Sequence, residues 1–493
     1  MLIGWRLSLS KWFLIPQRYI VAIMGFLAVL NAYTMRIALS IAITEMVVPS
    51  NGSTAADGSC DAPGNTSSGP IISNGDDLYD WDEETQGIIL SSFYWGYVIT
   101  HMPGGILAEK FGGKYSLGIG ILSTAIFTLL TPIVARVGDW KWLCFLRVCV
   151  GLGEGTTFPA LNAILAKWVP VGERSRLGSL TFAGSLLGTV LGNSVSGILI
   201  KQTQDWASVF YLFGGLGVVW FVIWTLLCYS DPDSHPFISD KEKEFLDKEL
   251  ASVSNENKDI PWKAIWTSVP LWALVAAQIG HDWGFFTMVT DLPKYMKDVL
   301  KFRIDENGLW SSLPYVVMWL VSVGCGWLCD WLIKKNYMHI TFARKFFTTV
   351  ASIGPAVFIV GAGYSGCDRY LAVALFTIAM GLMGTFYCGM KVNALDLSPN
   401  FAGTLMAIVN GIGAISGIIT PYLIGALTSE HTLEQWRLVF WITLGVLAVT
   451  NVIYVIFASG EEQVWNEIKK KQAEYDKHVD LEIGKIGEKQ IKY

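Results

Sequence analysis

Twelve stretches of this 493-residue chain are apolar for the length of a membrane-crossing helix. They lie at 20–44, 86–108, 115–135, 142–165, 176–200 and 207–228, then at 270–291, 309–333, 344–364, 370–390, 402–427 and 435–458. Crossing a hydrocarbon layer of about 30 Å takes about 20 residues of α-helix. Within lipid a helix is the economical solution, because each backbone N–H and C=O finds its partner inside the segment. Composition agrees: 52% of residues are hydrophobic and only 16% charged, against about 25% charged in a typical soluble domain. Twenty-one Trp and 18 Tyr are available for interfacial belts. The chain is therefore expected to be an all-α, multi-pass membrane protein with lipid around it.

A polar connector at 230–263 divides the spans six and six, and its Lys241–Glu244 run suggests a short amphipathic helix near 239–252. The expected organisation is an N-terminal six-helix bundle at 1–229, a C-terminal six-helix bundle at 264–460 and a charged tail at 461–493. Lys and Arg in short loops set the sides. Putting both termini in the cytosol gathers Lys110, Lys114, Lys167, Arg174, Arg176, Lys334, Lys335, Arg344 and Lys345 there. The acidic first loop, 46–85, then faces the other side. It carries two glycosylation sequons, at Asn51 and Asn65, which are modified only on a luminal or extracellular face. The basic head Met1–Tyr19 runs into the first span without a small-residue cleavage site, so it reads as a cytosolic tail and not a signal peptide.

No phosphate-binding loop, Gly-x-Ser-x-Gly elbow or His-Glu-x-x-His pair is present, so the sequence offers no enzyme. The eight Cys lack metal-ligand spacing, and Cys325 and Cys329, one turn apart, read as small packing residues. No metal, cofactor or nucleic-acid partner is expected.

Charge inside the spans is the informative exception. Arg147 and Glu154 stand seven residues apart in the fourth span, which is two turns and about 10 Å on one face. Arg36 lies deep in the first span. Ionisable groups at bilayer depth cost several kcal/mol and usually mark a solute or proton pathway, an internal structural pair being the alternative. Tyr33, Tyr94, Tyr97, Asn193 and Asn410 also lie in spans and can hydrogen-bond a hydroxyl or carboxylate, or another helix. Small residues at four-residue spacing, Gly184, Gly188 and Gly192 in the fifth span and Gly413 and Gly417 in the eleventh, allow close helix contact.

Residues 104–114 (GGILAEKFGGK) resemble the loop motif between helices two and three of the major facilitator superfamily, and 326–335 (GWLCDWLIKK) is a weaker second copy in the corresponding place. The resemblance implies two six-helix bundles that rock about a central site. Glu109 and Asp330 would pair with basic residues, Lys110, Arg174 and Arg176 being the candidates, as a gate on the cytosolic side.

A narrower resemblance covers nearly the whole chain. Phe93–Gly105 (FYWGYVITHMPGG), Gly153–Ala160 (GEGTTFPA), Glu173–Leu177 (ERSRL) and Asn393–Gly403 (NALDLSPNFAG) are similar to the organic and inorganic anion transporter family. That family holds sialin, the vesicular glutamate transporters and type I sodium–phosphate cotransporters. Asp305–Pro314 (DENGLWSSLP) and Ile353–Phe358 (IGPAVF) look most like sialin and its invertebrate relatives, many of them labelled provisionally as inorganic phosphate cotransporters.

The resemblance implies function for a helix-one Arg, a helix-four Arg and a helix-four Glu, here Arg36, Arg147 and Glu154. Arg36 is then the main substrate anchor, since a guanidinium stays charged and its planar fork matches carboxylate or phosphate. Arg147 assists, alternating between substrate and an acidic partner, and Glu154 is the proton site. His281, Tyr33, Tyr97 and Asn410 complete the expected substrate contacts. Vesicular glutamate transporters carry Arg where this chain has His281, and His near the position of Leu90, so glutamate selectivity is not implied. The expected activity is alternating-access transport of a small carboxylate or phosphate by a monomer, coupled to H+. Sodium-coupled phosphate cotransport is the alternative within transport, and an anion channel or non-transporting receptor the alternative outside it. The head lacks an acidic dileucine signal, which favours the plasma membrane over a lysosomal or vesicle membrane.

Overall fold

The structure, a computed structural model, describes residues 16–48, 78–236, 238–251, 260–398, 401–429 and 432–466. Both sequons and most of the first loop lie outside the described residues. The described residues form helical rods joined by short turns, with no β-sheet among them.

In the first bundle α1 (Gln17–Met46), α2 (Glu83–Phe111) and α3 (Gly113–Val137) are single rods. The fourth rod, α4 (Trp140–Glu154) and α5 (Thr157–Trp168), is interrupted at Gly155 and Thr156; α6 (Val171–Thr203) and α7 (Ala207–Leu227) follow. The connector contributes α8 (Asp240–Ala251), the expected amphipathic helix, and α9 (Trp262–Trp266). In the second bundle α10 (Val269–Phe286) passes through a π turn at Thr287–Asp291 into α11 (Leu292–Asp298). Then come α12 (Ile304–Lys334) and α13 (Ile340–Gly363). The tenth rod, α14 (Arg369–Met383) and α15 (Met390–Leu397), is interrupted by a 3-10 turn at Gly384–Tyr387. The last two rods are α16 (Ala402–Gly413) with α17 (Ser416–Leu427), and α18 (Leu433–Phe457). Ten of the twelve are long and apolar enough to cross a membrane. The other two, α2 and the α10–α11 rod, match them in length.

Helix starts follow local chemistry. Asp82, Asp139, Asp368 and Thr432 each accept a backbone N–H of the helix they begin, satisfying donors the helix itself cannot. At Asp82 the hydrogen bonds from Thr85 hold the carboxyl below the usual carboxylate range. α1 starts after Pro16 with no side-chain cap of its own. Its first N–H groups instead donate to the connector: Gln17 N to Glu242 Oε2 at 2.8 Å and Arg18 N to Oε1 at 3.1 Å. A carboxylate there also complements the positive end of the helix dipole.

The bundles meet most closely at the end that carries the first loop. Gly197 of α6 crosses Gly308 of α12 so tightly that a Cβ on Gly197 would stand 2.6 Å from the Ile304 carbonyl oxygen. Gly87 of α2 and Gly425 of α17 make the equivalent crossing on the other side. Ion pairs join the bundles in the same half: Glu83 to Lys294, buried; Glu45 to Lys297 at 3.1 Å; and Asp305 to Lys201 at 2.5 Å. Toward the connector end, Gly326 lies five turns along α12 from Gly308 on the same face, and no atom of the described residues stands within 4 Å of where its Cβ would be. The fifth-span glycines do allow close contact, but Gly184 and Gly188 lie against Phe26 and Leu30 of α1, inside one bundle. Gly417 packs across bundles on the ring of Tyr94.

The expected gate charges are only partly described. Asp330 is exposed at the connector end of α12, while the side chains of Glu109, Lys110, Arg174 and Arg176 lie outside the described set. One ion pair at that end was not suggested by the sequence. Arg344 Nε bonds Asp396 at 2.7 Å while its NH1 donates to the Cys388 carbonyl at 2.7 Å, tying α13 to α15.

A candidate anion and proton site between the bundles

In the first bundle, α2 and α4 are pressed backbone to backbone. A Cβ on Gly96 would stand 2.0 Å from the Val148 carbonyl oxygen, and one on Gly151 would stand 2.0 Å from that of Phe93. Without side chains at these two positions, the aromatic face of α2 can lie directly over the charged face of α4. Arg36 reaches into the junction from α1. Its guanidinium pairs with the Glu154 carboxylate, both buried. It also lies 4.5 Å from the ring centroid of Tyr33, 4.8 Å from those of Phe93 and Tyr97, and 5.9 Å from that of Tyr94. Such ring faces attract a cation electrostatically, more so when desolvated.

Arg147 and Glu154 share a face of α4 as expected, but Glu154 pairs with Arg36. Arg147 makes one long bond, NH2 to the Arg36 carbonyl at 3.5 Å, and stands 5.1 Å from the Phe93 ring centroid. Arg36 Nε, Arg147 Nε and Glu154 Oε2 are buried without a hydrogen-bond partner among the described residues. Glu154 ends α4 at the interruption, where broken helices of transporters commonly expose polar groups to a cavity.

The second bundle faces this cluster with its own polar groups. His281 is stacked flat on Phe386, ring centroids 3.6 Å apart, and its Nδ1 has no partner. Asp282 accepts from Gln278 Nε2 at 2.7 Å. The two neighbours therefore have separate partners, as adjacent positions on a helix should. Asn410 accepts a hydrogen bond from Lys391 Nζ at 2.6 Å. Lys391 was missed from sequence because the tenth span was ended at residue 390, whereas the helix runs on to Leu397. The four-residue spacing of Tyr387 and Lys391 was the available signal. An aromatic chain joins the bundles, with Tyr94 4.7 Å from Phe286, Phe286 6.0 Å from Phe285, and Phe285 6.0 Å from His281.

Two further polar groups of the spans are buried. His101 is 4% exposed and packs 5.2 Å from the ring of Tyr97. Asn193 is buried where α6 meets α12, its backbone carbonyl against Gly308 and its side-chain oxygen unpartnered. No cluster of three or more His, Cys, Asp or Glu among the described residues could hold a metal ion.

Comparison with known proteins bears on the family and the fold. The family profile described as Major Facilitator Superfamily matches residues 21–421. Human sialin is 41% identical over 451 residues, covering 91% of this chain and 90% of sialin. A Drosophila melanogaster protein whose name assigns it provisionally to inorganic phosphate cotransport is 41% identical over 459 residues, covering 91% and 86%. Human vesicular glutamate transporter 2 is 35% identical over 489 residues, covering 97% and 81%. Among solved structures, a D-xylose–proton symporter superposes with a TM-score of 0.66 at 14% identity, covering 90% of this chain and 98% of that one. An inward-facing bacterial homolog of the human lysosomal transporter Spinster gives 0.66 at 13% identity, covering 90% and 97%. At those identities the superpositions speak to the fold.

Proposed function

The chain belongs to the major facilitator superfamily, and from that premise we propose that it is a proton-coupled transporter of a small organic anion. The observation that carries the reading is the Arg36–Glu154 pair inside a cage of four aromatic rings. One guanidinium serves two acids that cannot both have it. While Glu154 is ionised it holds Arg36; a proton on Glu154 removes the competitor and leaves the fork of donors to the solute's carboxylate. Anion and proton then bind together and leave together, which is the condition for symport. Arg147, with one long bond to a carbonyl, adds positive charge that follows whichever acid is present.

The names of two relatives, for glutamate and for inorganic phosphate, support an anionic solute. The bundles are closed at the loop end, while at the connector end no atom of the described residues stands against Gly326 of α12. With the connector in the cytosol, these two features support the inward-facing stage of alternating access. That orientation draws support from the basic loops and from Cys367, which is disulfide-bonded in the loop 364–368, as befits an oxidising compartment. Lack of a dileucine signal in the head favours the plasma membrane.

The test is uptake into proteoliposomes under imposed pH or sodium gradients, with phosphate, sialic acid, glutamate and aromatic organic anions in parallel. An organic anion should accumulate under the pH gradient alone. Phosphate uptake driven only by sodium would favour the sodium–phosphate reading, and a solute-independent conductance would favour a channel.

A further inference from the structure

We propose that Lys391 is the anion contact of the second bundle, so that the transported solute is held by Arg36 and Arg147 on one side and by Lys391 on the other. The inference rests on the transport reading above and adds the residue that makes the second bundle respond to the solute.

Three observations carry it. The first is the partner. Arg36 already has a carboxylate, whereas the Lys391 ammonium donates to the neutral amide oxygen of Asn410. The nearby carboxylate, Asp282, lies within electrostatic range of Lys391 but is hydrogen-bonded to Gln278. A half-buried ammonium whose one hydrogen bond goes to a neutral amide, and whose neighbouring carboxylate already has a partner, is under-compensated. A solute's acidic group would supply the missing charge.

The second is position. Glu154 stands at the interruption of the fourth rod, and Lys391 stands just past the interruption of the tenth. These are corresponding places in the two halves. Paired interruptions of that kind mark the binding site in transporters built from repeats, because freed backbone groups are tolerated only where they line a cavity or are buried in protein.

The third is convergence. His101, on the first bundle, lies within electrostatic range of both Arg36 and Lys391. On the second bundle, the Lys391 ammonium stands 5.7 Å from the ring of Phe386, on which His281 is stacked. The two cationic poles therefore face one shared space from opposite bundles. An acid bridging them draws the bundles together, while an empty site leaves Lys391 on Asn410. Solutes that present acidic oxygens to both sides, a dicarboxylate or a phosphate, are favoured over a monocarboxylate of the same size.

The experiment measures uptake kinetics in proteoliposomes of the full chain, using whichever of phosphate, glutamate and sialic acid the unmodified protein accumulates. Three variants are compared: Lys391→Met, Lys391→Arg and Asn410→Asp. Loss of one charge-assisted contact should raise KM by about tenfold or more in Lys391→Met, with maximal rate nearly kept. Lys391→Arg should restore most of the affinity. Asn410→Asp keeps the lysine but gives it an internal carboxylate, and should raise KM as Lys391→Met does. This variant decides the matter if Lys391→Met does not fold. Unchanged KM in both Lys391→Met and Asn410→Asp overturns the proposal, as does a fall in maximal rate alone in both. Absence of uptake by the unmodified protein instead sinks the transport reading, and this inference with it.

Discussion

Arg36 shares one guanidinium among a carboxylate, four rings and, in the proposed cycle, a solute. Its planar fork suits all three, which an ammonium does not. Arg36→Lys should therefore raise KM by about 10- to 100-fold, equivalent to about 1.4–2.8 kcal/mol. Arg147→Lys should raise it less, because Arg147 makes only one long bond here. Equal penalties in a side-by-side uptake titration would contradict that ranking. His281 offers a second contrast. Its flat stack on Phe386 makes packing its visible role, and an aromatic pair is worth about 0.5–1.5 kcal/mol. His281→Phe should keep proton-driven uptake within about threefold while His281→Ala loses more; a loss of proton coupling in His281→Phe would show instead that the imidazole titrates. Arg36, Arg147 and Glu154 were legible in sequence because charge inside an apolar run stands out. Their pairing was not, since spacing along α4 joins Arg147 to Glu154 while the partner comes from α1, 118 residues away. Lys391 escaped because hydrophobicity windows end at the charge that matters.

At the scale of elements, the closed loop end depends on two glycine crossings, one buried ion pair and two more exposed ones. Gly197→Leu would push side-chain atoms into the backbone of α12, where a Cβ alone would already come within 2.6 Å of a carbonyl oxygen. It should hold the loop end open, detected as greater reactivity of a cysteine placed at Ser194, which in the native protein sits 2.7 Å from Ser312. Unaltered reactivity would mean the crossing does not seal this end. Helix existence and order were readable from apolar length. The ends were not, because α2 and the α10–α11 rod extend past their apolar windows to Glu83 and Lys294, whose buried pairing offsets the cost of their charge. The connector carries a pH-dependent contact. His235 is packed between Trp168 and Tyr229 and bonded to the Leu227 carbonyl. Burial lowers its pKa from the usual histidine value. The neutral form is thus favoured in the folded connector. Its stabilisation is complete above about pH 6.5, the ordinary value, and is lost as pH falls from there through the lowered one. Hydrogen exchange near residues 227–245 should quicken on acidification, and His235→Phe should remove most of that response. An identical pH response in the variant would place the sensor elsewhere.

For the whole molecule, two bundles that close against each other at the loop end hold a charged cluster buried between them. In the proposed cycle the proton binds Glu154 and the anion binds Arg36, so the two are bound together or released together. Coupling is therefore a property of the pair and not of the fold, and it can be removed without removing the binding site. The direct measurement uses Glu154→Gln in proteoliposomes. Exchange of labelled for unlabelled anion should persist, since the amide leaves Arg36 without a charged competitor, while accumulation driven by a pH gradient should vanish. Full proton-driven accumulation in Glu154→Gln would contradict the account, because the proton would then be travelling on some other group.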